Sequence, residues 1–217
     1  MQACYNRYMQ NVNVIENPVV SDALTRVRDK QTNTQTFRKY ADIISFQLVS
    51  SVFSKKDLED KQITSPIGKT HGNVLQTNFV FVTVLRAGLA MLPAVLNIFP
   101  SISVGFVGLK RDEQTAIAHE YYIHLPKIGR DTIVLLADPM LATGGSMILA
   151  LEKISKFRPK EIRLISIVSA PEGIAAVHAT YPEVSIITAA IDSHLNDKKY
   201  IVPGLGDFGD RYFATET

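Results

Sequence analysis

Short, nearly uninterrupted apolar runs limit most strongly what this chain can fold into. Phe79–Leu85 and Thr132–Ala137 are rich in β-branched and apolar residues, which is typical of strands buried on both faces of a sheet. Further predicted strands are Ile102–Leu109, Glu161–Ser169 and Val184–Ala190. Because helical segments separate these runs, the sequence predicts an α/β fold with a mostly parallel sheet flanked by helices.

The predicted helices precede and connect these strands. Thr36 is predicted to cap a helix from Phe37 to Phe53, where apolar residues recur at helical spacing. The other predicted helices are Leu89–Ile98, Gly145–Phe157 and a helix that starts near Pro171. Residues 1–35 are interpreted as an arm, and the polar segment around Pro66, Gly68 and Gly72 as loops. Glu120–Leu125 is predicted to be one side of a β flap that covers residues 110–125.

Composition narrows the class of protein. The formal net charge is only +2 over 217 residues, which argues against a nucleic-acid binder. The apolar runs are too short to cross a bilayer, and the first residues lack the apolar core of a signal peptide. Cys4 is the single cysteine, so no intrachain disulfide can form. We therefore expect a cytoplasmic protein with no membrane or nucleic-acid partner.

The segment from Asp138 to Ser146 (DPMLATGGS) carries the strongest chemical signal. It follows a predicted strand and leads into a predicted helix, so its backbone N–H groups lie at the positive end of that helix. Glycines at this point allow a phosphate to approach the main chain closely. Asp138, held extended by Pro139, can accept hydrogen bonds from sugar hydroxyls. The pattern favours a site for a phosphorylated sugar over a plain strand-to-helix turn.

Other known motifs do not explain the chain. It has neither a Walker loop nor a dinucleotide fingerprint, so ATP and NAD are poor candidates. The five histidines lack the spacing of metal ligands with carboxylates or thiols. Ser146 has no evident histidine partner, so a hydrolytic triad is not supported.

Asp138–Ser146 resembles the phosphoribosyl-pyrophosphate (PRPP) motif of the uracil phosphoribosyltransferases, in which Pro139 stands where the wider type I phosphoribosyltransferase family has a second acid. The resemblance covers residues 79–217, and earlier residues match only loosely. Four further segments carry it, namely Leu85–Gly88 (LRAG) as the pyrophosphate loop, Gly108–Asp112 (GLKRD) as the flexible loop, Ala170–Gly173 (APEG) and Tyr200–Arg211 (YIVPGLGDFGDR).

The resemblance implies a role for each matching position. Arg86 and Arg111 would contact the pyrophosphate, Asp138 the ribose hydroxyls, and Asp207 the pyrophosphate and its Mg²⁺ through water. These four are the implied catalytic residues. The implied PRPP-binding set adds Pro139, Met140, Leu141, Ala142, Thr143, Gly144, Gly145 and Ser146. Main-chain groups of Ile201, Gly206 and Phe208, beside Asp207, would recognise uracil. Phe208 replaces a common alanine and is expected to make the pocket wall bulkier.

The resemblance also implies an organisation. Residues 1–217 would form a single domain, with an N-terminal arm and helix over 1–78, an α/β core over 79–190, and a base-binding hood over 191–217. The implied activity converts uracil and PRPP to UMP and diphosphate in pyrimidine salvage. Mg²⁺ would be the cofactor, held mainly by PRPP and water. A homodimer or larger homo-oligomer is expected, and a GTP effector is left open.

Two alternatives remain at this stage. A related scaffold could sense nucleotides and regulate a partner without catalysis, although the presence of Arg86, Asp138 and Asp207 counts against this. The chain could instead be an enzyme for a base other than uracil. An assay of uracil with PRPP and Mg²⁺ would separate these hypotheses.

Overall fold

A computed structural model describes residues 11–111 and 118–215, with the side chains of residues 110, 111, 118 and 119 excepted. The strands are β1 (Val12–Val14), β2 (Leu58–Thr64), β3 (Lys69–Leu75), β4 (Phe79–Leu85), β5 (Ser103–Arg111), β6 (Ala118–His124), β7 (Ile133–Ala137), β8 (Met140–Leu141), β9 (Glu161–Ser169), β10 (Ser185–Ile191), β11 (His194–Leu195) and β12 (Ile201–Val202). The helices are α1 (Pro18–Arg28), α2 (Thr34–Ser51), α3 (Leu92–Ile98), α4 (Gly145–Ser155), α5 (Pro171–Thr180) and α6 (Phe208–Phe213), with 3₁₀ turns at Lys55–Asp57 and Ala87–Met91.

The described strands form one main sheet of eight, in the order β1-β10-β9-β7-β4-β5-β6, with β8 also pairing with β9. Neighbours along this order are parallel except β5 and β6. From β4 the chain goes outward to β5 on one side, whereas β7, β9 and β10 build the other side. The switch point of the sheet therefore lies between β4 and β7, where ligands bind in open α/β sheets.

The predicted fold class is confirmed, because the apolar runs are buried on both faces. Every residue of β7 is buried, as is every residue of β4 except the last. One face packs against α1, α2 and α3, and the other against α4 and α5. Pro93 lies at the start of α3, where its missing N–H costs nothing, and a 3₁₀ turn takes the place of the first predicted helical residues.

The N-terminal segment contains more regular structure than the interpretation as an arm implies. Strand β1 extends the main sheet by pairing with β10, and α1 buries Val20, Ala23, Leu24 and Val27. Helix α2 starts at Thr34 rather than Phe37, since the side chain of Asn33, not Thr36, caps it. The Asn33 Oδ1 atom accepts a hydrogen bond from the Thr36 N–H at 2.9 Å.

The interpretation of Pro66, Gly68 and Gly72 as loop residues is wrong for Gly72, which lies in β3, whereas Pro66 and Gly68 lie in the connection between β2 and β3. Strands β2 and β3 form an antiparallel hairpin, in register from Leu58 and Leu75 to Thr64 and Lys69. Every residue of β2 is exposed, so the hairpin has no apolar face and no alternating pattern by which to recognise it. Its base is fixed to the sheet by Asp57, both carboxylate oxygens of which accept hydrogen bonds from Arg163 at 2.8 Å.

The last elements form the segment interpreted as a hood. Strands β11 and β12 pair antiparallel, and α6 follows them and contacts α2. Within the ranges that the structure describes, no helix combines the length and the apolar character needed to cross a membrane.

Candidate active site

The loop from Asp138 to Ser146 leaves the sheet at the end of β7. Its first part is held by β9, since the Pro139 carbonyl accepts hydrogen bonds from the N–H groups of Ile167 and Val168 at 2.9 and 3.0 Å. The Leu141 carbonyl likewise accepts from Ala170 N–H at 2.8 Å. These bonds fix the main chain of the loop independently of any ligand. The loop is thus a preformed connection rather than a free turn.

The second part of the loop leads into α4 through Gly144. This residue has φ of +81° and is the N-cap of the helix, so the conformation itself requires glycine. An added Cβ would lie 3.0 Å from the Gly173 carbonyl oxygen and 3.2 Å from the Ala176 Cβ. A Cβ added at Gly145 would have only Thr143 Oγ1 nearby, at 3.7 Å. The first-turn N–H groups of α4 therefore adjoin a loop without bulky side chains, which suits a phosphate.

Gly173 at the start of α5 packs closely against the loop of residues 138–146. A Cβ there would lie 2.4 Å from the Ala142 carbonyl oxygen and 2.8 Å from that of Leu141. The sequence marks this glycine only as part of a matching segment, and its function as the contact that lets α5 approach the loop is visible only in three dimensions. A Gly two positions after Pro171 was the available signal.

Asp138 follows β7 directly and is half-buried. Its backbone N–H donates to the Ile165 carbonyl at 3.2 Å, and its Oδ1 atom accepts from the Met140 N–H at 3.3 Å. The carboxylate therefore stays at the end of β7, where the loop to α4 begins. This placement agrees with an acid that would accept hydrogen bonds from a sugar.

Arg86 follows β4, the neighbour of β7 across the switch point. Thr83 pairs in register with Ala137, so Arg86 and Asp138 leave adjacent strands at the same edge. Gly88 makes the close packing feasible, because a Cβ there would lie 2.2 Å from Thr83 Oγ1 and 2.8 Å from the Ala137 carbonyl oxygen. The Arg86 side chain is 65% exposed, and its Nη2 atom lies 3.7 Å from Asp210 Oδ1. Its charge thus faces solvent at the mouth of the site.

Asp207 and Asp210 add two carboxylates, besides that of Asp138, near the sheet edge at which β4 and β7 end. Asp207 is the N-cap of α6, and its Oδ1 atom accepts a hydrogen bond from the Asp210 N–H at 2.9 Å. A Cβ at Gly209 would lie 3.8 Å from that of Ala87, so the start of α6 lies against the loop of Arg86. Asp210, which the sequence analysis did not select, is the ion-pair partner of Arg86.

The three residues expected to recognise uracil lie around β12 and α6, with different environments. Ile201 is buried in β12, and Gly206 is exposed with φ of +81°. The expectation that Phe208 makes the pocket wall bulkier is wrong. Its ring is 2% exposed, packs edge-on against Phe37 at 5.3 Å and stacks on Tyr212 at 5.7 Å. Its backbone alone remains available to a ligand.

Arg111 is the last residue of β5. Its side chain, and Asp112 after it, lie outside the described part of the chain, so its predicted contact with pyrophosphate stays a prediction. The strand Ala118–His124 does return antiparallel to β5, with the register shift at Gly108 and Leu109. The flap over residues 110–125 stays a prediction.

Comparison with known proteins decides the family. The model of the uracil phosphoribosyltransferase family matches residues 14–215. The chain belongs to the uracil phosphoribosyltransferase family. Two curated relatives carry that name: the protein of Campylobacter concisus is 42% identical over 207 residues, covering 95% of this chain and 100% of the relative. That of Lacticaseibacillus paracasei is 42% identical over 209 residues, covering 96% and 100%.

Solved structures agree with this family assignment. The AQ2163 protein from Aquifex aeolicus has a TM-score of 0.90 at 37% identity, covering 95% of this chain and 99% of that one. The adenine phosphoribosyltransferase of Trypanosoma brucei has a TM-score of 0.57 at 10% identity, covering 83% and 84%, and shares the fold. As a uracil phosphoribosyltransferase family member with a type I phosphoribosyltransferase fold, the chain is a pentosyl-transferring enzyme.

Proposed function

We propose that the chain transfers the 5-phosphoribosyl group of PRPP to uracil, giving UMP and diphosphate in pyrimidine salvage. One observation carries the proposal: Arg86 and the 138–146 loop leave neighbouring strands at the switch point, and the start of α6 lies beside them. A guanidinium, a carboxylate and a helix N-terminus with small residues match the diphosphate, the ribose and the 5′-phosphate of PRPP. Uracil is the base that the family name specifies for its members.

The residues take distinct parts in binding PRPP. Arg86, and Arg111 from the flap, contact the diphosphate, to which a guanidinium can donate two parallel hydrogen bonds. Asp138 accepts from the ribose hydroxyls. Residues 139–146 surround the 5′-phosphate, which meets backbone N–H groups at the start of α4. The T. brucei fold neighbour is a complex with AMP, pyrophosphate and ribose 5-phosphate, which supports the proposal.

The available acids fit a magnesium ion held mainly by the substrate. Mg²⁺ prefers carboxylate, phosphate and water oxygens and keeps several waters. Asp207 offers such a carboxylate at the start of α6, which lies against the loop of Arg86, while no three His, Cys, Asp or Glu residues within the described ranges are grouped to hold a metal. We therefore assign Mg²⁺ to the diphosphate of PRPP and water, near Asp207. When bound, it neutralises charge that develops on the leaving diphosphate.

Positioning and electrostatic stabilisation account for the catalysis. Uracil N1 bonds to C1 of the ribose as the bond from C1 to the diphosphate oxygen breaks, and the electron pair leaves with the diphosphate. Arg86 stabilises that charge, and the Asp138 carboxylate favours positive charge that develops on the ribose ring. The N1 proton is released in the same reaction, and we assign no residue as its acceptor. The loops hold the two substrates in line, which removes most of the entropic cost.

Main-chain groups of Ile201, Gly206 and Phe208, beside Asp207, recognise the uracil edge. Uracil presents acceptor, donor and acceptor at O2, N3 and O4, whereas cytosine reverses the last two. Because peptide groups cannot flip as a side-chain amide can, cytosine leaves two polar pairs mismatched, each costing about 1–3 kcal/mol. The burial of the Phe208 ring fixes its backbone in one place and leaves the pocket free of that ring.

The test compares kcat/KM for uracil, cytosine and hypoxanthine with the same PRPP and Mg²⁺ concentrations. The proposal predicts UMP formation with uracil preferred over cytosine by roughly tens-fold to ten-thousand-fold, from about 2–6 kcal/mol of mismatch. Absence of turnover with a folded protein would support the nucleotide-sensing alternative. Preference for hypoxanthine would support the alternative of another base.

The assembly and location are part of the same proposal. The exposed hairpin of β2 and β3 carries Ile67, 99% exposed, and Ile63, 45% exposed, which suit burial against a second copy of the chain. We assign the enzyme to the cytoplasm on the single cysteine of the sequence. Regulation by GTP stays a prediction without a residue assignment.

A further inference from the structure

The loop between β12 and α6, residues 203–207, is held mainly by groups outside it. It contains the cis Val202–Pro203 bond and two glycines with positive φ, Gly204 at +59° and Gly206 at +81°. A Cβ at Gly204 would lie 2.2 Å from the Ile201 carbonyl oxygen. Its main chain joins no strand, so distant side chains determine where the peptide groups of this loop lie.

An ion pair between Arg28 and Asp192 binds both backbone polar groups of one residue in this loop, Gly204. Arg28 Nη1 and Nη2 donate to the two Asp192 oxygens at 2.8 and 2.6 Å. Asp192 Oδ2 also accepts from the Gly204 N–H at 2.7 Å, and Arg28 Nη1 donates to the Gly204 carbonyl at 2.8 Å. The Asp192 side chain is 5% exposed and that of Arg28 24%. This geometry is bidentate, so only a guanidinium completes it.

A second arginine connects the same loop to the same helix end. Arg211 Nη1 donates to the Leu205 carbonyl at 2.7 Å and to the Val27 carbonyl, and Nη2 donates to the Asp29 carbonyl at 2.7 Å. The guanidinium lies 4.4 Å from the centre of the Phe37 ring. The C-terminal end of α1 is therefore joined to Gly204 and Leu205 on two sides.

We propose that Arg28, acting through Asp192 and Gly204, is a positioning residue for base recognition. It touches no substrate. It places the peptide groups of the 203–207 loop, which contains Gly206 and leads into Phe208, two of the positions proposed to recognise uracil. The inference rests on the proposed main-chain recognition of uracil. The PRPP half of the site is held separately, by β7, β9 and α4. Loss of the ion pair should therefore weaken the binding of uracil and not that of PRPP.

Loss of the charged hydrogen bonds of Arg28 and Asp192 should change uracil binding by a measurable amount. A hydrogen bond to a charged group contributes about 1.5–3 kcal/mol, equivalent to roughly ten- to hundredfold in an equilibrium. A displacement of the reacting groups by about 1 Å can cost roughly a hundredfold in rate. Rigid main-chain recognition of a base edge is sensitive to such a displacement, because peptide groups have no side-chain rotamers with which to compensate.

The experiment compares Arg28→Lys and Asp192→Asn with the wild-type enzyme. Both variants keep similar volume and lose the bidentate pair. We expect KM for uracil to rise about tenfold or more, and the preference for uracil over cytosine to fall. KM for PRPP, and the affinity for PRPP with Mg²⁺ measured by calorimetry without uracil, should stay at the wild-type values. Breaking the buried pair should lower stability in either case. A purely structural role would change KM for both substrates alike.

The matched control is Arg26→Lys, two residues away on α1. Arg26 is half exposed and forms its ion pair with Asp22 on the same helix, so its change should alter neither KM. Equal uracil KM in wild type and in folded Arg28→Lys and Asp192→Asn overturns the inference while leaving the proposed function intact. A parallel rise of KM for uracil and KM for PRPP in these variants also overturns the inference. Comparable turnover of uracil and cytosine by the wild type would instead overturn the main-chain recognition on which the inference depends.

Discussion

At the scale of single residues, two adjacent glycines in the phosphate loop perform different tasks. Gly144 has a positive φ and close neighbours, whereas Gly145 begins α4 with free space at its Cβ position. The first residue is therefore required by the fold as well as by the proposed phosphate site. The second is required only by the proposed phosphate site.

Alanine at each position separates these tasks. Gly144→Ala is expected to lower the free energy of unfolding by about 1–3 kcal/mol, from the strained φ, and to lower PRPP affinity. Gly145→Ala is expected to lower PRPP affinity while its melting temperature is retained. Chemical denaturation and PRPP titration measure the two quantities. Full PRPP binding by both folded variants would show that the phosphate lies elsewhere.

Arg86 is the residue whose loss should affect activity most directly. Because its side chain is largely exposed, Arg86→Ala should change stability by less than about 0.5 kcal/mol. In contrast, kcat/KM should fall by at least about tenfold, since a charge-assisted hydrogen bond to the diphosphate is lost. Arg86→Lys should recover only part, because an ammonium cannot donate two parallel hydrogen bonds. Equal losses of thermal stability and activity would instead make Arg86 a structural residue.

At the scale of elements, the base of the β2–β3 hairpin depends on one buried ion-pair network. Arg163 donates to Asp57 and to Glu161, and the Asp57 side chain is 1% exposed. Burial would raise the pKa of Asp57, but hydrogen bonds from Arg163 and Ser54 lower the pKa below its ordinary value. The hydrogen bond from Arg163 also lowers the pKa of Glu161, against the effect of burial.

This network predicts a pH-dependent stability. A lowered carboxyl pKa stabilises the fold above the ordinary pKa of 3.8, and that contribution disappears as the pH falls through the folded-state value. Asp57→Asn should therefore lower the free energy of unfolding by about 3–5 kcal/mol at neutral pH. The difference from wild type should begin to shrink below about pH 4, where Asp57 of the unfolded chain becomes neutral, and continue to shrink as the pH falls through the lower folded-state pKa.

Asp60→Asn is the control for this prediction. It lies in the same hairpin, and its pair with His71 is about two-thirds exposed, so its effect should stay below about 1 kcal/mol. Urea denaturation of the three proteins at several pH values gives the comparison. A difference between wild type and Asp57→Asn that does not change with pH would contradict the assigned origin of the stability.

At the scale of the whole molecule, the exposed hairpin predicts how copies of the chain associate. Joining Lys61 to Gly72 through an Asn-Gly turn removes the tip and the exposed Ile67 without touching the core. We expect the shortened protein to keep its thermal stability at low concentration and to sediment as a smaller species than wild type. Phe157→Ser, which also alters an exposed apolar side chain, should sediment as wild type does. A shortened protein that remains oligomeric would exclude the hairpin as the contact.

Sequence patterns predicted those elements in which the order of apolar and polar residues reflects which residues are buried. Phe79–Leu85 and Glu161–Ser169 agree with the structure to the residue. The first is almost continuously apolar, as a strand buried on both faces is expected to be, whereas the second also buries Arg163, Ser166 and Ser169. The start of α1 was also visible in principle, with Asn17 before Pro18 and a buried stripe from Val20 to Val27. The β2–β3 hairpin was not recognisable from the sequence, since every residue of β2 is exposed, none of β3 is fully buried, and no periodicity marks either strand.

The sequence by itself determined the chemistry at each strand end: an arginine and glycine after β4, and an acid, glycines and a helix start after β7. Only the tertiary structure decided which groups meet. It placed the Phe208 ring against Phe37 and Tyr212, away from the expected pocket wall, and it paired Arg28 with Asp192 across 164 positions of sequence. The physical reason is that local spacing governs elements, whereas contacts between distant residues follow from how the packed elements share one core and one sheet edge.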